Sequence, residues 1–382
     1  MKPDLIIARY GEVGLKSNRV RRRFENRLKN NIKVSIDAEV KISQARIYIF
    51  PKDYDDALDK LERIFGIVSY SPAVSTKATF EDIERDLSIY AEKLHEEGLL
   101  DENTRFAISC RRVGTHDFSS QEMAAFAGAV VVRKYSSPVD LTNPELTIYL
   151  EVRDGDAYIF HEKIQGPGGL PLGTQGKVIS LVSSGIDSPV ATYLMMKRGC
   201  QIIALYCDNQ PYTTSEALKN FEDLVDQLNL YASGAPIKKR VVKYGDYLST
   251  CKSDAPDKMT CILCKSGMYK LAGKLAKKMN AEAVIDGSSL GQVASQTLPN
   301  ILATREDLEV PVLSPLIGLD KMEITRIAEK IGTFEISKRD DGGCKAVPKY
   351  PETKADLELV KQVKEDINQE EELEKAFNTI EF

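Results

Sequence analysis

The stretch with the most chemical meaning is Ile179-Ser-Leu-Val-Ser-Ser-Gly-Ile-Asp-Ser-Pro189. An apolar run ends in the small residues Ser183, Ser184, Gly185 and Ser188, and small residues let a backbone approach a ligand closely. Pro189 opens a helix, where a missing N–H costs only a donor that has no partner there anyway. The free amides and the helix dipole would then attract an anion. The hydroxyls of Ser183, Ser184 and Ser188 add donors. Asp187 makes sense beside phosphate oxygens if it holds or orients Mg²⁺. This is not a Walker A loop: Gly176-Lys177 comes before the strand and is followed by Val178. An ordinary strand-to-helix turn with a serine cap is the plainer alternative. The joint occurrence of strand, small-residue loop, Asp-Ser and helix speaks against it.

Thiols form the second chemical group. Cys261-Ile-Leu-Cys264 has ligand or redox spacing and stands just before a predicted helix. Cys344 follows Asp340-Asp-Gly-Gly, a turn that can present a thiol. Cys110 and Cys200 sit in apolar or strand-edge contexts and read as packing residues. Seven cysteines in 382 residues are no disulfide framework, which favours a reducing, cytosolic setting.

Periodicity supplies the elements that must hold these groups. Strands at 4–9, 39–43, 45–50 and 67–74 with helices at 18–36 and 54–65 give βαββαβ, the ferredoxin-like order. A second α/β unit follows, with helices at 80–97 and 119–135, and strands at 105–110, 146–152 and 157–160. Five glycines and two prolines in 165–176 read as a linker. Beyond it, strands at 178–182, 201–207, 239–243 and 283–287 alternate with helices at 189–197, 215–228, 266–279 and 321–331. That alternation predicts a doubly wound parallel sheet, which binds ligands at the carboxyl ends of its strands.

The length predicts two or three domains at about 150 residues each. The net charge is −5, yet residues 1–50 hold 12 Lys and Arg against 5 Asp and Glu. Such a basic head suits a polyanion, or is merely a solvated helix. Residues 351–382 hold 4 Lys against 10 acids and read as an acidic tail. No signal peptide and no 18-residue apolar run are present, so a cytoplasmic protein with no membrane contact is expected.

The loop 183–188 resembles the S-G-G-x-D-S signature of PP-loop ATP pyrophosphatases. Ser184 stands where the commonest signature has its first glycine. That matters only if the position needs a positive φ. Three further stretches resemble one family, the tRNA uridine 4-sulfurtransferases (ThiI): Gly11–Arg19, Gly168–Lys177 and Gly287–Thr297. The resemblance implies an α/β protein with a ferredoxin-like domain over 1–57, its second helix and last strand running on to about 75. A THUMP domain over 58–164, the linker 165–176 and a PP-loop domain over 177–382 follow. It implies ATP as cofactor, with Leu181, Val182, Tyr206 and Cys207 on the adenine side. Lys265, Gly287 and Gln296 fill the remaining matched positions. Bacterial relatives often show Arg where Lys265 stands, and Lys keeps the charge but loses bidentate geometry.

The implied reaction is adenylation of uridine O4 at tRNA position 8, followed by sulfur attack to give 4-thiouridine, and in some organisms sulfur supply for the thiamine thiazole. tRNA would meet Lys16, Arg19, Arg21, Arg22, Arg23 and Arg27, together with Arg111, Arg112 and His116. His116 equally suits a helix cap. Aromatic interleaving is weak, which suggests reading of shape and backbone rather than base stacking. No rhodanese domain follows in this sequence, so an external sulfur donor is expected. Cys261, Cys264 and Cys344 would hold a [4Fe–4S] cluster with one iron open to sulfide, Cys344 counting with Asp187 as catalytic. Zinc with Cys251 as fourth ligand, a persulfide-carrying redox pair and unrelated thiols are the alternatives. Another tRNA thiolase and a non-catalytic tRNA-binding protein are the competing functions. The oligomeric state, a homodimer included, stays open.

Overall fold

The computed structural model describes residues 2–306 and 308–382; Met1, where the expected head domain begins, lies outside them. Two compact units divide after Gly169.

In the first unit the strands are β1 (Leu5–Arg9), β2 (Ala38–Ser43), β3 (Arg46–Pro51), β4 (Ser69–Lys77), β5 (Phe106–Val113), β6 (Leu146–Arg153), β7 (Asp156–Phe160) and β8 (Ile164–Gln165). Its helices are α1 (Asn18–Ser35), α2 (Tyr54–Leu61), α3 (Phe80–Glu96) and α4 (Ser120–Tyr135). Residue 57 falls inside α2. The ferredoxin-like and THUMP halves share one sheet, ordered β2-β3-β1-β4-β7-β6-β5. They are joined by β4, whose residues 69–73 pair with β1 and 74–77 with β7. Helix α1 exists because Phe24, Leu28 and Ile32 recur on one buried face, with Leu28 and Ile32 packed into a cluster with the strands. Helix α4 starts at a capping box between Ser119 and Glu122.

One face of this sheet meets the helices through two apolar clusters. The cluster on the other face draws on strand residues alone: Leu5, Ile7, Tyr48, Ala73 and Phe160, with Phe50, Tyr149 and Tyr158 at its margin.

The second unit is a parallel sheet of β9 (Lys177–Leu181), β10 (Gln201–Asp208), β11 (Lys238–Lys243), β12 (Ala283–Ile285) and β13 (Val312–Leu313), in the order β11-β10-β9-β12-β13. Its helices are α5 (Asp187–Lys197), α6 (Ser215–Asn229), α7 (Gly245–Ser253), α8 (Thr260–Met279), α9 (Leu298–Arg305), α10 (Lys321–Lys330), α11 (Phe334–Ser337), α12 (Leu357–Asp366) and α13 (Gln369–Phe377). From β9 the chain moves one way to β10 and later the other way to β12. The carboxyl end of β9 is therefore a topological switch point, where open α/β sheets form their ligand crevice.

Three sequence expectations change here. Helix α8 begins six residues before Ser266, so Cys261 and Cys264 lie within it rather than before it. It lacks a side-chain N-cap and is led in by a 3₁₀ turn at Asp257–Met259, which removes the usual starting signal. The acidic end is not a solvated tail: Val360 and Leu373 are fully buried in the same core as Leu263 and Leu275. The expected linker is only partly one, since Leu170 and Leu172 are buried and the Leu170 amide donates to the Lys197 carbonyl at 2.9 Å.

Candidate active site

A cavity of about 360 Å³ opens at the carboxyl ends of β9, β10 and β12. Leu181, Val182, Ser183, Ser184, Asp187 and Ser188 form one wall, and Tyr206 and Cys207 a second. Lys265, Gly287, Gln296 and Cys344 complete it, whereas Gly185 does not line it. The loop is braced from within. The Ser188 hydroxyl accepts from the Ser183 amide at 2.9 Å, and the Thr192 hydroxyl donates to the Ser188 carbonyl at 2.7 Å. No side chain caps α5, so the donors at its start are left for a ligand. Ser184 lies outside the left-handed region, so the serine there is unstrained.

Gly287 is required by close packing. A Cβ on it would stand 2.8 Å from the Ser188 nitrogen and 3.0 Å from the Asp187 carbonyl carbon. The segment after β12 thus rests directly on the backbone at the start of α5.

Sequence reasoning missed what holds Asp187. Its Oδ2 accepts from Gln292 Nε2 at 2.9 Å and its Oδ1 from Lys321 Nζ at 2.7 Å. A capping box between Asp320 and Glu323 sets the start of α10 and so aims Lys321. That box was legible; its partner 134 residues away was not.

Also missed was Asp286, 4% exposed at the end of β12. It accepts from the hydroxyls of Ser288 at 2.7 Å, Ser314 at 2.6 Å and Tyr269, and from Arg305 at 3.0 Å. Burial alone would raise its carboxyl; Lys265, Ser314, Tyr269 and Arg305 outweigh that and hold it below the ordinary range. Burial also pushes Lys265 down, with Asp286 pulling the other way. Asn209 lines the cavity too, and its buried Oδ1 lacks a protein partner, as does Gln296 Oε1. Such acceptors are satisfied by a ligand or by water.

Among the thiols, burial pushes Cys207 up to about 12 and Cys264 well above its usual value. Cys344 is exposed at the cavity rim. The charges of Cys261, Cys264 and Cys344 would act on one another. Among the described residues, however, no three Cys, His, Asp or Glu side chains are gathered closely enough to hold a metal.

In the first unit, Lys16, Arg19, Arg22, Arg23 and Arg111 are exposed and Arg112 is half-buried. Arg21 is paired instead: its Nε donates to Glu25 at 3.1 Å, and its Nη2 lies 3.4 Å from the Tyr10 hydroxyl. His116 is no cap, because Ser119 fills that role. Its Nε2 sits 2.6 Å from the Asp154 carbonyl, and its Nδ1 is buried. Aromatic rings, scattered in the sequence, are gathered by the sheet. Tyr48 and Tyr158 lie 5.0 Å apart, and the Lys163 ammonium lies 3.4 Å over Tyr149. Beside them Glu151 is buried among Arg46 at 2.7 Å, Arg9 at 3.6 Å and Arg153.

A parallel sheet with an uncapped loop of small residues at its switch point is the architecture of the PP-loop class. Residues 173–369 match the family described as thiamine biosynthesis protein (ThiI), 5–71 its ferredoxin-like domain and 77–162 the THUMP domain. A "Probable tRNA sulfurtransferase" of Methanobrevibacter smithii is 66% identical over 380 residues, covering 100% of both chains. One of Methanothermobacter thermautotrophicus is 56% identical over 98% of this chain and 96% of its own. The crystal structure of a 4-thiouridine synthetase–RNA complex with bound ATP superimposes with a TM-score of 0.91 at 31% identity, covering 100% of this chain and 99% of that one. The chain belongs to the ThiI family of tRNA sulfurtransferases. Among the described residues no helix is long and apolar enough to cross a membrane.

Proposed function

We propose that the chain converts a uridine of tRNA, at position 8, to 4-thiouridine at the expense of ATP. The observation that carries this reading is one cavity shared by an uncapped small-residue loop, the half-buried Lys265 and an exposed thiol. Uridine O4 attacks the α-phosphorus of ATP, the bond to the bridging oxygen breaks, and pyrophosphate leaves. A sulfur nucleophile then attacks C4, the C4–O4 bond breaks, and AMP leaves with its oxygen. The amides at the start of α5, the hydroxyls of Ser183 and Ser188, and Lys265 oppose the charge that develops on the phosphates. Tyr206 and the half-buried Leu181 offer apolar surface to the adenine. Mg²⁺ ordinarily takes one or two carboxylates plus phosphate oxygens, and Asp187 with a bound triphosphate meets that demand.

Cys261 and Cys264, three residues apart on α8, and Cys344 across the cavity are the chemically suitable donors for a [4Fe–4S] cluster. Such a cluster would supply iron able to bind the sulfur that is delivered to C4. tRNA is the partner of the basic helix α1 and the Arg111–Arg112 segment, and the sulfur comes from an external donor. A thiazole-forming reaction would draw on the same sulfur. Incubating the protein with unmodified tRNA, ATP and sulfide tests the reading: near-UV absorbance of 4-thiouridine should appear only with ATP. No absorbance gain under anaerobic, cluster-loaded conditions overturns it.

A further inference from the structure

The nucleotide cavity contains a charge that its expected chemistry does not use. Asp286 faces a site for a polyanion, yet it is ionised and buried, and its two oxygens accept from four side chains and from the Ser288 amide at 3.2 Å. A carboxylate in such a place repels phosphate unless it is there for something else. Its nearest consequence is Lys265. Among the described residues, the one hydrogen bond of the Lys265 ammonium goes to the Ser288 hydroxyl, at 3.0 Å. That hydroxyl has a single proton, and it points to Asp286 Oδ2 at 2.7 Å. Ser288 therefore presents a lone pair to Lys265, and Asp286 fixes which way it does so. From the far side Arg305 and Ser314 lock the carboxylate, and Arg305 also donates to Ser314.

The lysine needs this help for a physical reason. A guanidinium is planar and carries its own geometry, whereas an ammonium is a point charge on four rotatable carbons. Fixing it in advance removes a cost that would otherwise fall on ligand binding.

We propose that Asp286 is a positioning residue that, through Ser288, holds the Lys265 ammonium in place for the phosphates of the nucleotide. The proposal rests on the reading of the cavity as an ATP site. Arg305 and Ser314 belong to the same device, as the groups that keep Asp286 from turning toward the phosphates itself.

A double-mutant cycle on ATP binding tests it, using full-length protein and calorimetry. Asp286→Asn should weaken ATP about tenfold, because Asn turns an N–H toward donors and releases Ser288. In a Lys265→Ala background the same change should cost less than about threefold, since there is no ammonium left to place. Equal losses with and without Lys265, or no loss at all, overturn the proposal. Circular dichroism accompanies each variant. If Asp286→Asn does not fold, Ser288→Ala replaces it in the same cycle, for it removes the link while Asp286 keeps its other donors. Pyrophosphate release with tRNA is measured in parallel on the wild type. Its absence would count against the adenylation reading alone, because the binding cycle needs only ATP. If the wild type binds no ATP at all, both readings fall.

Discussion

Gly287→Ala is the sharpest probe of how the fold builds the phosphate loop. The added Cβ would meet the Ser188 nitrogen at 2.8 Å and the Ser188 Cα at 3.0 Å, both backbone atoms of the first turn of α5. Ordinary contact lies near 3.5 Å, so β12 and the loop must part by roughly 0.5 to 0.7 Å. Misplacing catalytic groups by about 1 Å costs on the order of a hundredfold, so about half of that should lower turnover roughly tenfold. Overpacking should also remove about 1–3 kcal/mol of stability. Urea unfolding and tRNA-dependent pyrophosphate release at saturating ATP read the two effects separately. Gly185→Ala is the control for stability, because its Cβ would find Ser183 Oγ no closer than 3.6 Å. A Gly287→Ala protein with wild-type unfolding and wild-type turnover would refute the contact as the determinant of loop position.

Asp187→Ala should abolish pyrophosphate release while tRNA binding, measured by filter retention, stays within about threefold; Lys321→Ala should reduce release in the same assay, since it loses the partner of Asp187. Reversing the exposed Arg19, Arg22 and Arg23 to Glu should weaken tRNA binding and flatten its dependence on salt, because fewer counterions are released; an unchanged slope would assign the patch to solvent. Anaerobic purification should give brown protein with iron and labile sulfide, both lost together with activity on Cys344→Ala. A colourless, iron-free, fully active enzyme would remove the cluster. Glu151→Gln should cost about 3–5 kcal/mol in thermal unfolding, because the buried Arg153 and the half-buried Arg9 and Arg46 lose their counter-charge. Burial disfavours the Glu151 carboxylate, but Arg46, Arg153 and Arg9 together hold its carboxyl below the usual range. Its contribution is therefore complete above the unfolded value of about 4.3 and fades as pH falls through the lower folded one. The gap between wild type and variant should close in acid and stay constant from pH 6 to 8.

Local pattern accounted for what local forces decide. The strands at β1, β3, β9 and β10 are apolar runs of the right length, and the loop 183–188 announces itself by residue size. What escaped was set by partners far away in the chain. Nothing around Gln292 or Lys321 says that both meet Asp187. Asp286 looks like any acid at a strand end until Tyr269, Arg305 and Ser314 close over it. The start of α8 was hidden because Met259 offers no cap, which put Cys261 and Cys264 ahead of the helix instead of inside it. Helices α12 and α13 were masked by their acids, though Val360, Val363 and Leu373 carry a helical stripe. Tyr48 and Tyr158 are 110 residues apart, and only the sheet makes them neighbours.

The shared strand β4 has a consequence for anyone who would take the protein apart. Removing residues 1–57 would not release a module; it would strip β1 from residues 69–73 and leave their amides and carbonyls as a raw edge. Such edges invite another chain to pair, so the truncated protein should aggregate rather than behave as an isolated RNA-binding domain. The ferredoxin-like half cannot be exchanged without rebuilding the strand on which its neighbour also depends.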